Sequence, residues 1–275
     1  MSVVAKAAAL GLAACFLFGL TVKNARAQPA PAPATTNQSA AYEGVLDQAD
    51  EEDKETYIES FVSLRYRHDR FLEGVNADEL RIHWQQSFGP SGRLAAGVEL
   101  PFIDVRGEGS GAAGSGDIHL DFRGMIGKSK RFEQAAGVEV IAPSAGHELL
   151  DDGQTVFGFL WGFSLTMAGR TTLDGEASYN KAVSSRFGTP KLNHFGGEFI
   201  LTQAFTQRLS GFLESKNYYE FNVYGYVNTL KIGAEVMLGR QKKWSFSPFV
   251  LLPFTQAARH LETDRGAGLD LTCKY

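Results

Sequence analysis

The chain has 275 residues, 44% of them hydrophobic and 21% charged, with a formal net charge of −4. That length suits one large domain, and the slightly acidic balance does not suit a nucleic-acid binder. No apolar run of 18 residues follows the first 27, which excludes a bundle of membrane-spanning helices.

Residues 1–27 have the layout of a signal peptide: Lys6, an apolar run from Ala7 to Val22, then the small residues Ala25 and Ala27 before Gln28. The run is short for a spanning helix. Leu12-Ala13-Ala14-Cys15 resembles a lipobox, but the apolar Phe16-Leu17-Phe18 directly after it argues against lipidation of Cys15. Cleavage after Ala27 leaves Cys273 as the single cysteine, so neither an intramolecular disulfide nor a cysteine metal cluster is expected. Residues 28–55 read as a linker, Pro/Ala-rich from Gln28 to Ala41 and acidic from Val45 to Lys54.

Residues 56–275 fall into about twelve segments of alternating polarity, each near the length of a transmembrane β-strand. The first is Tyr57–Arg67, where Ile58, Val62, Leu64 and Tyr66 oppose Glu59, Arg65 and Arg67. Glu79–Phe88, Arg93–Phe102, Asp117–Ile126 and Phe132–Ala142 come next, then Thr155–Met167 with Phe157, Phe159, Trp161 and Phe163 on one face. Thr172–Asn180, His194–Phe205, Leu209–Lys216, Thr229–Leu238, Trp244–Phe254 and Gly266–Tyr275 complete the series. On the apolar faces no charged residue occurs; the opposite faces carry nearly all the strand charges. In a soluble sandwich such charges face bulk water and the apolar face is the core. In a membrane barrel the two faces exchange roles, and alternation alone does not distinguish the cases.

Connector lengths favour the barrel. Gly89–Gly92, Gly127–Arg131, Ala168–Thr171, Thr206–Arg208 and Gly239–Lys243 are short. His68–Asp78, Ile103–Gly116, Pro143–Gln154, Lys181–Asn193, Asn217–Asn228 and Thr255–Arg265 are long, and the two kinds alternate. Up-and-down outer-membrane barrels have this pattern, with tight periplasmic turns and longer extracellular loops, which puts both termini in the periplasm. Phe88, Phe132, Phe205, Trp244 and Tyr275 are then expected at one membrane interface, and Tyr66, Phe102, Phe157, Tyr179, Phe195 and Phe254 at the other. The last strand, with Leu269, Leu271 and Cys273 alternating up to the terminal Tyr275, resembles the closing strand of bacterial outer-membrane barrels, which implies recognition by the barrel-assembly machinery.

A narrower likeness lies at two connections. Val98-Glu99-Leu100-Pro101 with Gly114-Ser115-Gly116-Asp117, and Val138-Glu139-Val140-Ile141-Ala142-Pro143-Ser144, resemble the MetA-pathway-of-phenol-degradation family of outer-membrane proteins. The family's Pro-Thr-Gly is replaced here by Pro143-Ser144-Ala145-Gly146. The resemblance implies an outer-membrane channel, not an enzyme, in contact with membrane lipid and lipopolysaccharide, with hydrophobic or aromatic small molecules as the solute class its name suggests.

Residues on the polar faces are the expected pore lining: Arg65, Arg67, Arg81, His83, Glu99, Asp117, His119, Asp121, Arg123, Glu139, Glu176, Glu198, Lys231 and Glu235. Inward acids slightly outnumber inward bases, which points to a neutral or weakly cation-selective pore. Asp117-Ile118-His119-Leu120-Asp121 places three polar groups on one strand face, either a metal-holding row or a salt-bridged one with Arg123. Asn193-His194 near Ser184 and Ser185 invites a hydrolase reading, but the serine and histidine motifs of outer-membrane phospholipase are missing. The glycine-rich 107–116 stretch has no following Lys-Ser/Thr and so is no phosphate cradle. It is expected to be a mobile loop folding into or over the pore. No cofactor is implied. The alternatives to a channel are a structural or adhesive barrel with a filled lumen and a lipid- or lipopolysaccharide-modifying barrel enzyme.

Overall fold

The computed structural model describes residues 58–275, apart from 72–73, 90–91, 108–109, 148–149, 151–152, 168–169, 188–190, 222–224, 240 and 262. The signal-peptide, lipobox and linker expectations lie outside the described residues. The strands are β1 (Phe61–Arg70), β2 (Asn76–Phe88), β3 (Leu94–Gly107), β4 (Ser110–Ser115), β5 (Ile118–Lys128), β6 (Phe132–Ala142) and β7 (Gln154–Thr166). They continue with β8 (Thr171–Ser185), β9 (Asn193–Ala204), β10 (Leu209–Glu220), β11 (Gly225–Leu238), β12 (Trp244–Pro253) and β13 (Arg265–Lys274).

Every pairing is antiparallel, and all join neighbours in sequence except β3 with β5, across the short β4, and β13 with β1, which closes the sheet. Short β4 and longer β5 both pair with β3, on Phe102–Gly107 and Leu94–Glu99 respectively. They lie end to end as one stave broken at Gly116–Asp117, so the closed wall has twelve staves.

The tight turns at one end have a simple backbone cause. Gly89 (φ 80°), Gly92 (φ 61°), Gly239 (φ 78°) and Lys242 (φ 50°) occupy the left-handed region in two of them, where glycine carries no steric penalty. At the long-loop end the strands run further than the alternation predicts. β1 reaches Arg70, β8 reaches Ser185 and β10 reaches Glu220. There the wall leaves the apolar belt, so neither face needs apolar residues and the period-two signal fades.

Two expectations are corrected here, and one long connection proves to hold a helix. The glycine-rich 107–116 stretch is not a loop over the pore but mostly strand, β4 paired with the end of β3 as a hairpin from Phe102↔Ser115 to Gly107↔Ser110. The connection Thr255–Arg265 contains a helix, α1 (Gln256–Leu261), packed on β11 and β12. Ile58 does not begin the first strand's apolar face: it is 1% exposed and packs with Ala95, Ala135 and Met125. Those partners belong to β3, β6 and β5, so the chain leading into β1 crosses the barrel mouth at the short-turn end. The small alanines leave the socket that Ile58 fills.

The outer wall is the apolar one. Phe159 is 67% exposed, and Leu120, Phe122, Val138, Phe199, Leu213, Ile232 and Val250 are exposed with it, all from the faces that alternate with the charged rows. A continuous belt of such residues is stable against lipid and not against water. Among the expected interface aromatics, Phe88, Phe132, Phe205, Phe157, Tyr179, Phe195 and Phe254 are exposed. Tyr275 is tied in: Trp84 Nε1 donates to its hydroxyl at 2.7 Å, and that hydroxyl lies 3.1 Å from Gln86 Oε1.

Closure depends on close backbone approach at Gly268. A Cβ there would fall on the Tyr66 carbonyl oxygen of β1 and on the Phe249 ring of β12. Gly268→Val should therefore destabilise the barrel by about 3 kcal/mol through overpacking. The check is the temperature at which the heat-modifiable folded band converts on a gel, which is expected to fall.

Candidate functional site

Contacts between strands that are not neighbours mark the inner face, because only through the lumen can such side chains meet. Arg123 on β5 donates from Nε to Asp121 at 2.9 Å and from Nη1 to Glu176 on β8 at 2.6 Å. His83 on β2 comes within 4.0 Å of Asp121 on β5. Gly97 lies between those two strands, and a Cβ there would collide with the Asp121 carboxylate; its absence lets that carboxylate lie against β3.

A second network joins β1, β2, β3, β10, β11 and β13. Arg65 holds Asp270 through two hydrogen bonds, Nε to Oδ1 at 2.7 Å and Nη2 to Oδ2 at 3.1 Å. Such fork-to-fork pairing fixes orientation as well as charge. Arg81 donates to Glu99 at 2.7 Å and to Glu79 at 2.8 Å, and Arg67 pairs with Glu79 at 3.3 Å. Lys231, only 6% exposed, reaches Glu214 at 2.9 Å and Asp270 at 3.8 Å. Its Nζ also lies 4.6 Å from the Phe249 ring centroid and 5.4 Å from that of Phe212.

On the β5–β10 side, His119 Nδ1 is 3.3 Å from Glu139. His194 has Asn180 Nδ2 3.1 Å from its Nε2 and Glu220 3.8 Å from its Nδ1. Glu235 sits nearer the short-turn end, with the Ser210 hydroxyl at 3.5 Å.

Asp117 is the exception among the expected lining residues. It is 1% exposed, and its Oδ1 accepts from the backbone N–H groups of Ser144 and Ala145, both at 2.9 Å. Its Oδ2 accepts from Gln154 N at 3.2 Å, and Ser144 Oγ donates to Gly116 O at 2.6 Å. The break between β4 and β5 turns this carboxylate away from the His119–Asp121 row and into the base of the β6–β7 loop. The three-group row of the sequence is therefore not assembled: Asp117 anchors the loop, His119 faces Glu139 and Asp121 faces Arg123. The two short motifs that carry the family resemblance meet at this anchor. Among the described residues no group of three His, Cys, Asp or Glu is placed to hold a metal. Nor is the Ser–His–Asn arrangement formed. Ser184 donates to Thr155, and Asn193 Oδ1 accepts from the Tyr179 hydroxyl, on the outer face.

Sequence reasoning passed over Asp270, Glu79, Asp69 and Glu220. Asp270 had a signal, since it alternates with Leu269 and Leu271 in the closing strand. Asp69 and Glu220 lie beyond the expected strand ends.

Among the described residues, two cavities border the charged inner face. One, of about 180 Å³, is bordered by Arg65, Arg67, Arg81, Glu214 and Lys231. The other, of about 340 Å³, is bordered by His119, Glu139, Asn180, His194 and the apolar Ile141 and Leu160. Glu198 and Lys216 border both.

A closed antiparallel barrel of twelve staves, apolar outside and charged inside, belongs to the class of outer-membrane β-barrels. No family model matches the chain, and no curated protein does. Among solved structures it is similar to the COG4313 outer membrane channel from Pseudomonas putida F1, with a TM-score of 0.64 and 10% identity, over 80% of this chain and 97% of that one. The NanC porin superposes with a TM-score of 0.56 at 10% identity, over 78% of this chain and 98% of its own. For the KdgM porin the values are 0.50, 11%, 78% and 99%. At these identities the likeness is one of fold.

Proposed function

We propose that the protein is an outer-membrane channel through which small solutes diffuse passively. The observation that carries this is the inversion of polarity: a belt of exposed aromatic and aliphatic residues outside, and a lumen lined by charges with cavities between them. Lumen residues of that kind set which solutes pass. Both termini lie on the periplasmic side in this reading, because outer-membrane barrels keep their short turns there. Membership of the phenol-degradation family is supported by the motifs that meet at Asp117 and by the fold of the P. putida channel. The barrel's partners are then lipid, lipopolysaccharide and, through β13, the assembly machinery. No catalytic role is assigned to any lumen residue.

A barrel with a filled lumen is the second reading, favoured by Ile58 across one mouth and by the Arg123–Glu176 bridge. Planar-bilayer recording of the folded protein in a salt gradient decides between the two. Discrete conductance steps are expected, with a reversal potential that shows a weak cation preference. Arg123→Gln removes a positive charge and the bridge, so it should raise both the conductance and the cation preference. Silence from folded, heat-modifiable protein would establish the filled lumen.

A further inference from the structure

Among the described residues, a further hollow of about 320 Å³ lies on the outer wall, across β7 to β11. The strand registers show how it arises. Phe159, Tyr179, Phe195, Tyr219 and Tyr226 pair in turn across these five strands and form one outward row near the long-loop end. In the row two residues below, Trp161, Ala177, Gly197, Asn217 and Asn228 pair in the same way. Aromatic bulk thus gives way to Ala177 and Gly197 at the centre, and the wall is thin there. The Phe163 and Phe199 rings lie over Gly175 in the next row and close the lower end.

One edge of the hollow is polar although it faces lipid. Asn217 Oδ1 accepts from the Tyr226 hydroxyl at 2.6 Å and from Asn228 Nδ2, and Asn217 Nδ2 donates to Ser215 Oγ at 3.0 Å. Amides in that position satisfy one another because hydrocarbon cannot. Above the aromatic row, the next outward residue of β8 is the exposed Lys181, in register with Phe157 and Asn193. Lys191 lies close by, its Nζ donating to the Val183 carbonyl at 2.8 Å. Four residues of strand, about 13 Å, separate Lys181 from Ala177. From the loops toward the middle of the wall the order is therefore cation, aromatic row, then amides beside an apolar hollow. Lipopolysaccharide presents the matching order of phosphate, polar interface, hydroxyl-bearing chain and hydrocarbon. A glycerophospholipid supplies the phosphate, but its plain chains bring no hydroxyl to the amides.

We propose that the hollow docks one acyl chain of lipopolysaccharide, with a lipid phosphate at Lys181 and Lys191 and a chain hydroxyl at Asn217 and Asn228. This rests on the channel reading only for orientation, which puts the long loops in the outer leaflet. The lumen plays no part in it.

The test is native mass spectrometry of the full-length barrel folded in detergent, with deep-rough lipopolysaccharide and dipalmitoyl phosphatidylglycerol added in equal amounts. Wild type is expected to retain lipopolysaccharide in preference to the phospholipid. Ala177→Leu fills the floor of the hollow with apolar atoms and should weaken that retention about tenfold, the transfer value of roughly two methylenes. Lys181→Gln should weaken it about threefold, the scale of an exposed ion pair. Equal retention of lipopolysaccharide by wild type and Ala177→Leu overturns the proposal. So does equal retention of the two lipids by wild type, a comparison that needs no variant to fold. A dimer that Ala177→Leu dissociates would assign the hollow to a second copy of the chain and overturn it as well. Single-channel conductance is read separately and should be the same in wild type and Ala177→Leu. Selective retention by a barrel that conducts nothing would leave the site standing and remove the channel; conductance from a barrel that retains both lipids equally would do the reverse.

Discussion

Replacing Asp117 by Ala should unfasten the base of the β6–β7 loop while leaving the barrel closed. The carboxylate accepts from the N–H groups of Ser144, Ala145 and Gln154, and it is almost wholly buried. Buried amide donors that lose a charged acceptor cost about 1–3 kcal/mol each unless water reaches them. The loop lies at the edge of the wall, so partial rehydration is expected and the net local loss is set at about 3 kcal/mol. Amide hydrogen exchange at Ser144, Ala145 and Gln154 should then quicken by about a hundredfold, with the exchange of β8 to β10 unchanged. Asp117→Asn keeps one oxygen for Ser144 and Ala145 but turns an amide donor toward Gln154 N, so its effect should concentrate at Gln154. Unchanged protection at all three amides in Asp117→Ala would show that the loop is held by other contacts.

The second large effect is expected at Lys231. Its ammonium is enclosed by Glu214, Asp270 and the rings of Phe249 and Phe212, and these partners come from β10, β13, β12 and β10 again. Lys231→Met preserves most of the volume but leaves Glu214 without its cation and Asp270 dependent on Arg65 alone. Removing one member of a buried ion pair costs about 3–5 kcal/mol. A lumen that admits water lessens this, so about 3 kcal/mol is the expected loss, seen as a lower unfolding temperature of the heat-modifiable form. Adding Glu214→Gln removes the orphaned charge, and the double variant should be more stable than Lys231→Met alone. Additive losses would mean that the two side chains do not act as a pair.

How much of this was legible in the sequence follows from what each feature depends on. The staves and their inner and outer faces are local: a residue's face is fixed by its parity, and charges such as Arg65, Arg81, Asp121 and Glu139 announced theirs. Alternating short and long connectors carried the meander in the same way. Strand ends toward the long loops were not legible, since β3 continues through Asp104 and Arg106, charged residues on the face that Val98, Leu100 and Phe102 make apolar. Asp117 matched the parity of His119 and Asp121, and only the break at Gly116–Asp117 removes it from their row. Which charges pair across the lumen depends on barrel curvature and on the stagger between strands. Arg123 could therefore be placed inside from its parity, but its partner Glu176, 53 residues away in sequence, could not be named. Ile58 failed for a related reason: an apolar residue beside a strand looks outward by pattern, and the socket of Ala95 and Ala135 exists only once β3 and β6 are side by side.

The pairing of β1 with β13 also sets the order in which the molecule can be made. Arg65 and Asp270 are 205 residues apart, whereas every other pair of neighbouring staves is joined by a connector of hairpin scale. Bringing such distant ends together costs about 2–3 kcal/mol more entropy than closing a short hairpin, because the penalty grows only with the logarithm of length. The ladder from Phe61↔Lys274 to Arg70↔Arg265 easily offsets that amount. Time is the greater obstacle. Until the final residues emerge, β1 has an unpaired edge that invites pairing with any other strand, so closure must be post-translational and the newborn chain must be shielded from its own kind.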